Sequence, residues 1–457
     1  MSSHQKARTR ALPLRILVVL VGVVAGLLMS MVGAAGAQAV GPVPVFGVQF
    51  HGLWSSYTDA GRAQVLDALK ANGAQAVRID VSWRMLEPDA QGVFSAWGLA
   101  QVDKSIQMAQ ARGLRPLVTL WMAPKWANGS DDERVAPTSA VGLAGLTDVS
   151  KRLAVRYAGV VDGWEVWNEP NLNDFMRGAD PVVYAGVLKA AYAGFKAGSA
   201  STPVVFGGPS CVDDVWVGKV LAAGGAGKYD VMGVHPYQAV GDEAPEVPDN
   251  GTKYRMNHLP ALIAVMAKYG EGAKPIWFTE FGWRAHVTLA SDYNEARGVS
   301  PAVQADYLAR TVALVRASYP TVARLYWYQD RADSQNPAEA GYGLVYPDGT
   351  VAPALKGLPA ALGTTPPAVT PVAPSVVNVS YSRSSVTASW PAPVGQSTTS
   401  YVVQLRSGSK VVSSKTVSGT TLSTKFSVSR GTTYQVAVAA VTANGTSTYT
   451  LSKTFKP

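Results

Sequence analysis

Cysteine is almost absent. Cys211 is the only one in 457 residues, so no disulfide can form within the chain, and a large core makes one unnecessary. Cys211 itself reads as a small buried hydrophobe. Metal-ligand spacing is missing as well: His4, His51, His258 and His286 are not grouped as zinc ligands are. There is no glycine-rich phosphate loop and no Gly-x-Ser-x-Gly elbow. No metal and no cofactor is therefore expected.

Acidic residues are missing from both ends. The first 39 residues carry Lys6, Arg8, Arg10 and Arg15 and no acid, a charge of +4. Residues 375–457 carry three Arg and five Lys and no acid, a charge of +8, which leaves −3 of the total +9 for everything between. Because the basicity sits at the ends, a nucleic-acid enzyme with a basic groove is disfavoured. Neither a nucleic-acid partner nor a stable protein partner is expected.

The N-terminus has a basic stretch ending at Arg15, an apolar run from Ile16 to about Gly36, and Ala37-Gln38-Ala39. That is the pattern of a secretory signal with a small-residue cleavage site. The alternative is an uncleaved membrane anchor, since the run is close to the length of a span. Either way the remainder is exported.

From residue 46 to about 360, strand-like apolar runs alternate with helix-like runs. The strands start at Phe46–Phe50, Ala76–Val81, Arg115–Leu120 and Val161–Trp167, and continue at Pro203–Gly207, Val231–Val234, Pro275–Thr279 and Ala323–Tyr328. Asp59–Ala71, Gly98–Arg112, Val182–Ala197 and Ser300–Ser318 are helical patterns between them. Eight such units predict a closed (β/α)8 barrel with its site at the C-terminal strand ends. A Pro/Thr-rich spacer without charge follows at 361–374. After it, period-two strands such as Ser385–Trp390 and Tyr434–Ala439 alternate with Ser/Thr/Gly turns. They predict an all-β, immunoglobulin-like sandwich of about seven strands. The expected organisation is a signal at 1–39, a barrel at 40–360, a linker at 361–374 and a sandwich at 375–457.

Two glutamates end apolar strands among tryptophans: Trp167-Asn168-Glu169-Pro170 on the fourth and Trp277-Phe278-Thr279-Glu280-Phe281-Gly282-Trp283 on the seventh. A carboxylate in such a place is costly unless it faces a cavity with partners. The fourth and seventh strands stand almost opposite in an eight-membered ring, so the two groups can meet across its mouth. Paired carboxylates in a tryptophan-lined cavity suit glycosidic bond cleavage, one as proton donor and one as nucleophile. The alternative for Glu169 is a cap on the following helix. For Glu280 it is an ion pair with Arg78, which is compatible with a nucleophilic role because a guanidinium lowers a carboxyl pKa. Glu165 lies further from the rim. Tyr237 is placed to orient Glu280, His235 to support the acid or contact sugar, and His51 to hold a hydroxyl. Eleven of the twelve tryptophans precede the linker, many at strand ends or just beyond: Trp54, Trp83, Trp121, Trp126, Trp167, Trp283 and Trp327. Trp327 is the expected floor under the sugar, while Trp97 and Trp216 read as core packing.

Trp-Asn-Glu-Pro after strand four, His235-Pro236-Tyr237 after strand six and Phe-Thr-Glu-Phe-Gly on strand seven together resemble the clan A glycoside hydrolases, the 4/7 superfamily of retaining enzymes. Within it the pattern is closest to family 39, which shares most of these motifs with family 5. The resemblance covers residues 46 to 360. It implies Glu169 as acid/base, Glu280 as nucleophile, and sugar or carboxylate contacts from His51, Asn168, His235, Tyr237 and Trp327. Trp390 and Tyr434 give the tail a resemblance to a fibronectin type III module. The expected partner is a polysaccharide or oligosaccharide, with the basic tail serving either as a tether to an anionic cell-wall polymer or as a solubilising spacer. A barrel that binds polysaccharide without cleaving it, or that tethers to the cell wall through the tail, is the alternative activity class.

Overall fold

The computed structural model describes residues 41–285, 297–332, 337–364, 373–393, 398–442 and 445–457. The proposed signal segment, His286 and most of the expected linker lie outside these residues. The chain divides into two compact units, Met1–Thr364 and Thr365–Pro457.

The first unit contains a ring of parallel strands: β1 Val45–Gln49, β2 Ala76–Ser82, β3 Arg115–Trp121, β4 Gly163–Val166, β5 Val204–Phe206, β6 Met232–Val234, β7 Ile276–Phe281 and β8 Val322–Trp327. Their order is β5-β4-β3-β2-β1-β8-β7-β6. A parallel bridge between Val205 and Val231 closes the ring beside β6. Helices cover the outside, among them α1 Asp59–Ala71, α2 Ala96–Gln110, α3 Ala140–Arg156, α4 Pro181–Gly198 and α5 Pro301–Ser318. Their starts are encoded locally. Thr58, Ser95, Ser139, Asp180 and Ser300 each accept a backbone N–H from the first turn, and Pro181 and Pro301 open α4 and α5. The expected barrel is present, with strand and helix limits within a few residues of those the sequence implies.

Alternation along each strand sorts the side chains. On β4, Trp164 points outward and stacks on Phe195 of α4 at 4.8 Å and 12°, while Glu165 points into the barrel. The interior has two storeys. Ala76, Leu117, Val205, Val231, Trp277 and Tyr326 form an apolar floor. Above them, toward the C-terminal strand ends, Gln49, Arg78, Thr119, Glu165 and His235 are buried and polar. That upper storey is the base of the site.

The second unit consists of antiparallel strands in two sheets. β9 Asn378–Tyr381, β10 Ser385–Ser389 and β13 Ser423–Ser427 form one; β11 Ser400–Ser407, β12 Lys410–Ser418, β14 Gln435–Thr442, β15 Gly445–Thr446 and β16 Thr450–Leu451 form the other. Alternate residues from both sheets build a core around Trp390, Tyr401, Phe426 and Tyr434. The Tyr434 hydroxyl accepts from the Ser429 N–H at 3.2 Å, which pins the corner where β14 begins. The eight strands exceed the seven expected because β15 and β16 are two-residue segments.

The outward face of β4 should carry much of the barrel's stability. Replacing fully buried Trp164 (1 % exposed) with alanine leaves a cavity against Phe195 and should lower the unfolding free energy by about 3–5 kcal/mol. A denaturation midpoint unchanged from the native protein would contradict this packing.

Candidate active site

Arg78 is the centre of the upper storey. It is on β2, fully buried, and its fork reaches four partners. Nε donates to Glu165 at 2.6 Å, Nη1 to Gln49 and Glu280 at 2.7 Å each, and Nη2 to Asn168 at 2.7 Å. Burial opposes its charge, but Glu165, Asp80 and Glu280 outweigh burial and hold it firmly protonated. Glu165 also accepts from Thr119 at 2.6 Å. Burial alone would raise the Glu165 pKa; Arg78 above all pulls it below the ordinary value. Glu165 is thus a structural counter-ion.

Glu169 and Glu280 reach the mouth by departures from regular geometry. Trp167 and Glu169 have φ of 72° and 40°, in the left-handed region that non-glycine residues seldom occupy. This turn after β4 carries Glu169 over the strand end, where its N–H meets the Gly208 carbonyl at 3.2 Å. On β7, pairing with β8 shifts register between Phe278 and Phe281. Such an irregularity breaks strict alternation, so Thr279 and Glu280 both serve the interior although they are neighbours. The Glu169 carboxylate meets His235 rather than capping a helix, and α4 is capped by Asp180 instead.

His235 Nδ1 lies 3.0 Å from Glu169 Oε1 and 3.7 Å from Glu280 Oε2. The Tyr237 hydroxyl donates to Glu280 Oε2 at 3.1 Å. Ligand-type atoms of Glu169, His235 and Glu280 all lie within 4.8 Å of one another. A divalent ion could fit such a cluster by spacing, but the Arg78 guanidinium, 2.7 Å from Glu280, sets a fixed positive charge against it. Gly208 makes room for the histidine, since a Cβ there would come within 2.5 Å of its ring.

Burial pushes the Glu280 carboxyl up to about 7, with the Glu169 and Asp80 charges adding to it and His235 and Arg78 opposing. The expectation that the guanidinium would hold Glu280 low is corrected: removal from water outweighs the two cations. Glu280 accepts from Arg78 and Tyr237, whose bonds favour its ionised form against that burial. Burial would lower His235, but Glu280 and Glu169 raise it overall. His51 is driven down to about 3, by burial first and Arg78 second, and stays neutral.

Above these groups opens a cavity of about 780 Å3 whose wall includes His51, Trp121, Asn168, Glu169, Tyr237 and Glu280. These six, singled out in the sequence, are therefore brought together, and Trp54 and Trp283 join them. Arg78, His235 and Trp327 do not face the cavity. Arg78 and His235 have no exposed surface and meet the carboxylates. Trp327 is corrected as the sugar platform: it is fully buried, its Nε1 donates to the Tyr342 carbonyl at 2.9 Å, and Phe281 and Trp283 pack around it. Trp283 and Tyr328 line the cavity in its stead. Trp97 is 65 % exposed rather than packed in the core, whereas Trp216 is buried as expected. Cys211 is also no plain core residue: it lines the cavity with φ 60°, and burial with the charge of Glu169 pushes its thiol up to about 12. Asp80 and Gln49 were missed. The signal was present as polar residues at alternate strand positions, Arg78-x-Asp80-x-Ser82.

The model of the cellulase family (glycosyl hydrolase family 5) matches residues 35–310. Among solved structures the chain is similar to a family 39 glycoside hydrolase from the gut symbiont Bacteroides cellulosilyticus WH2, at 20% identity and a TM-score of 0.58, over 86% of this chain and 82% of that one. A monomeric beta-xylosidase from Caulobacter crescentus CB15 aligns at 15% identity and TM-score 0.53, over 86% and 95%. GH5_18 from Streptomyces cattleya in complex with GlcNAc aligns at 18% and 0.52, over 71% and 80%. At these identities the structural likeness speaks for the fold.

The raised Glu280 carboxyl predicts a pH limb. A nucleophilic Glu280 must be ionised, so kcat/KM on an aryl glycoside should rise as pH rises through about 7. In Glu169→Gln the charge that helps raise Glu280 is gone, so the limb of the residual activity should move to lower pH. A flat profile in the native enzyme across this range would refute the raised carboxyl.

Proposed function

This chain belongs to the cellulase family, glycosyl hydrolase family 5, and we propose that it is a secreted, retaining enzyme that cleaves polysaccharide or oligosaccharide by double displacement. Glu280 attacks the anomeric carbon while Glu169 protonates the leaving oxygen. The bond from that carbon to the leaving oxygen breaks as the bond to Glu280 forms. Glu169, now a carboxylate, takes a proton from water, which attacks the same carbon and frees Glu280.

The observation that carries this proposal is the closeness of the two carboxyls, with atoms within 4.8 Å. Retaining enzymes keep their pair about 5–5.5 Å apart, whereas inverting ones leave about 6.5–9.5 Å for a water. Unlike surroundings support the division of roles. Glu280 receives Arg78 and Tyr237; Glu169 has His235, which can take up and return charge during the cycle. Asn168 gives its Oδ1 to Arg78 and keeps its amide free to donate to a hydroxyl beside the reacting carbon.

Secretion is proposed from the N-terminal pattern. Among the described residues no helix is long and apolar enough to cross a membrane. Residues 375–457, with +8 and no acid, are proposed to hold the enzyme to an anionic cell-wall polymer, an attraction that reaches about 8–10 Å at ordinary salt.

Two experiments test these assignments. Glu280→Gln should abolish turnover of every substrate. Glu169→Ala should retain the first step on substrates with good leaving groups, and azide should restore its turnover by replacing water. Azide rescue of Glu280→Ala with retained configuration would mean the roles are exchanged, and an inverted product seen early by NMR would exclude retention. For the tail, the full-length protein should sediment with cell walls at low salt and be released as salt rises. Equal recovery in the supernatant at every ionic strength would leave the tail a spacer.

A further inference from the structure

The eight cations of residues 375–457 are scattered along the sequence, and the sandwich sorts them. β10 begins at Ser385 opposite Ser427, where β13 ends, and β11 brings Arg406 opposite Gln435, where β14 begins. The turn 382–384, the hairpin 407–410, the loop 428–433 and the stretch 453–457 therefore share one end of the unit. Hydrogen bonds tie them together. The Val428 N–H donates to the Ser384 carbonyl, the Gly431 N–H to the Pro457 carbonyl, and the Ser407 hydroxyl to the Thr433 carbonyl, each at 3.0 Å. These four segments carry Arg383, Lys410, Arg430, Lys453 and Lys456, all exposed. The connections at the opposite end, 390–399, 419–422 and 443–449, contain no Lys or Arg. β9 also enters there, with Asn378 opposite Ser389. No Asp or Glu within the unit offsets this polarity. Arg406 is already occupied, since it donates to Gln404 at 2.6 and 2.9 Å and covers the Tyr449 ring at 4.8 Å.

An open aromatic ring lies at the same basic end. Tyr381 closes β9 beside the 382–384 turn. Its ring stacks on Phe455 at 4.9 Å and 29°, and Phe455 packs against Tyr434 at 6.0 Å. Tyr381 is nonetheless 50% exposed. The ring is thus held by packing on one side and left to water on the other, and an amphipathic ring so placed suits a ligand that is apolar on its face and polar at its rim. We infer that this end of the sandwich is a binding surface for a polysaccharide whose sugar rings carry negative charge. The free side of Tyr381 takes the C–H face of a sugar, and the cations around it take the anionic groups along the chain. The inference rests on the tether proposed above and adds its surface and the class of polymer it fits. Charge alone would attract any polyanion; the open ring demands a saccharide. Packed sheets lie about 10 Å apart, close to a Debye length of about 8–10 Å at ordinary salt, so cations on loops from both sheets act on one bound chain.

The test measures affinity of the full-length protein for polygalacturonate, with polyphosphate as a polyanion without rings and dextran as rings without charge. The native protein should bind polygalacturonate at low salt, release it as salt rises, and bind dextran at least about tenfold more weakly. Two double variants with the same net charge then locate the surface. Arg383→Ser with Arg430→Ser removes two charges at the basic end and should weaken polygalacturonate binding about tenfold or more. Ser389→Glu with Thr420→Glu makes the same change in net charge at the other end and should cost less than about threefold. Tyr381→Ala should weaken polygalacturonate binding about three- to tenfold and leave polyphosphate binding within about twofold. Equal losses in the two double variants would reduce the attraction to net charge and overturn the inference. Equal effects of Tyr381→Ala on polygalacturonate and polyphosphate would overturn it too. If Tyr381→Ala unfolds the sandwich, the double variants decide, because Arg383 and Arg430 are exposed. A native protein that binds neither polyanion at low salt would instead remove the tether itself.

Discussion

A fully buried guanidinium governs this site. Arg78 has no water to share its charge, and a buried charge persists only with partners on its hydrogen-bonding fork. Glu165 and Glu280 supply the counter-charge, and Gln49 and Asn168 satisfy the remaining directions. These residues come from β1, β2, β4 and its following turn, and β7, so one side chain ties together strands far apart in sequence. The planar fork also fixes angles, which a lysine ammonium would leave loose. Glu280 is therefore aimed by the same contact that helps keep it ionised, and Asn168 is aimed by its neighbouring nitrogen.

The arrangement gives two chemically identical carboxyls different surroundings. Both are buried, and burial raises Glu280 despite the nearby cations. Arg78 and Tyr237 donate to Glu280, whereas Glu169 meets His235. His235 is buried against both carboxyls, and Gly208 leaves space for its ring. Backbone strain at Trp167 and Glu169 and the register shift in β7 belong to the same design. Strained geometry persists where surrounding structure overdetermines it, and such places gather at functional sites.

Much of this was legible in the chain. Alternating runs gave the barrel, cap residues marked the helix starts, and Glu169 and Glu280 stood out because a strand among tryptophans should not end in an acid. Aromatic roles were less legible. Trp327 and Trp283 both stand at or just beyond strand ends, yet Trp283 lines the cavity and Trp327 is enclosed by Phe281, Trp283 and the Tyr342 carbonyl. Trp97 looked like core and lies outside. A large apolar ring carries no local mark of which side of a wall it will occupy, because that depends on what packs against it from distant segments.

The sequence by itself determined the eightfold strand–helix repeat, the strands that bear the two carboxylates, and the separation of a charge-poor spacer and an acid-free β tail. These follow from periodicity and composition, which act over a few residues. Only the tertiary structure decided that Asp80 and His51 would share one wall of the cavity, that Cys211 would join it, and that Glu280 would turn inward beside Thr279. Those outcomes depend on ring closure, on a register shift against β8 and on burial by residues hundreds of positions away. Hydrogen bonding and desolvation are settled by neighbours in space, and the barrel chooses those neighbours only when it closes.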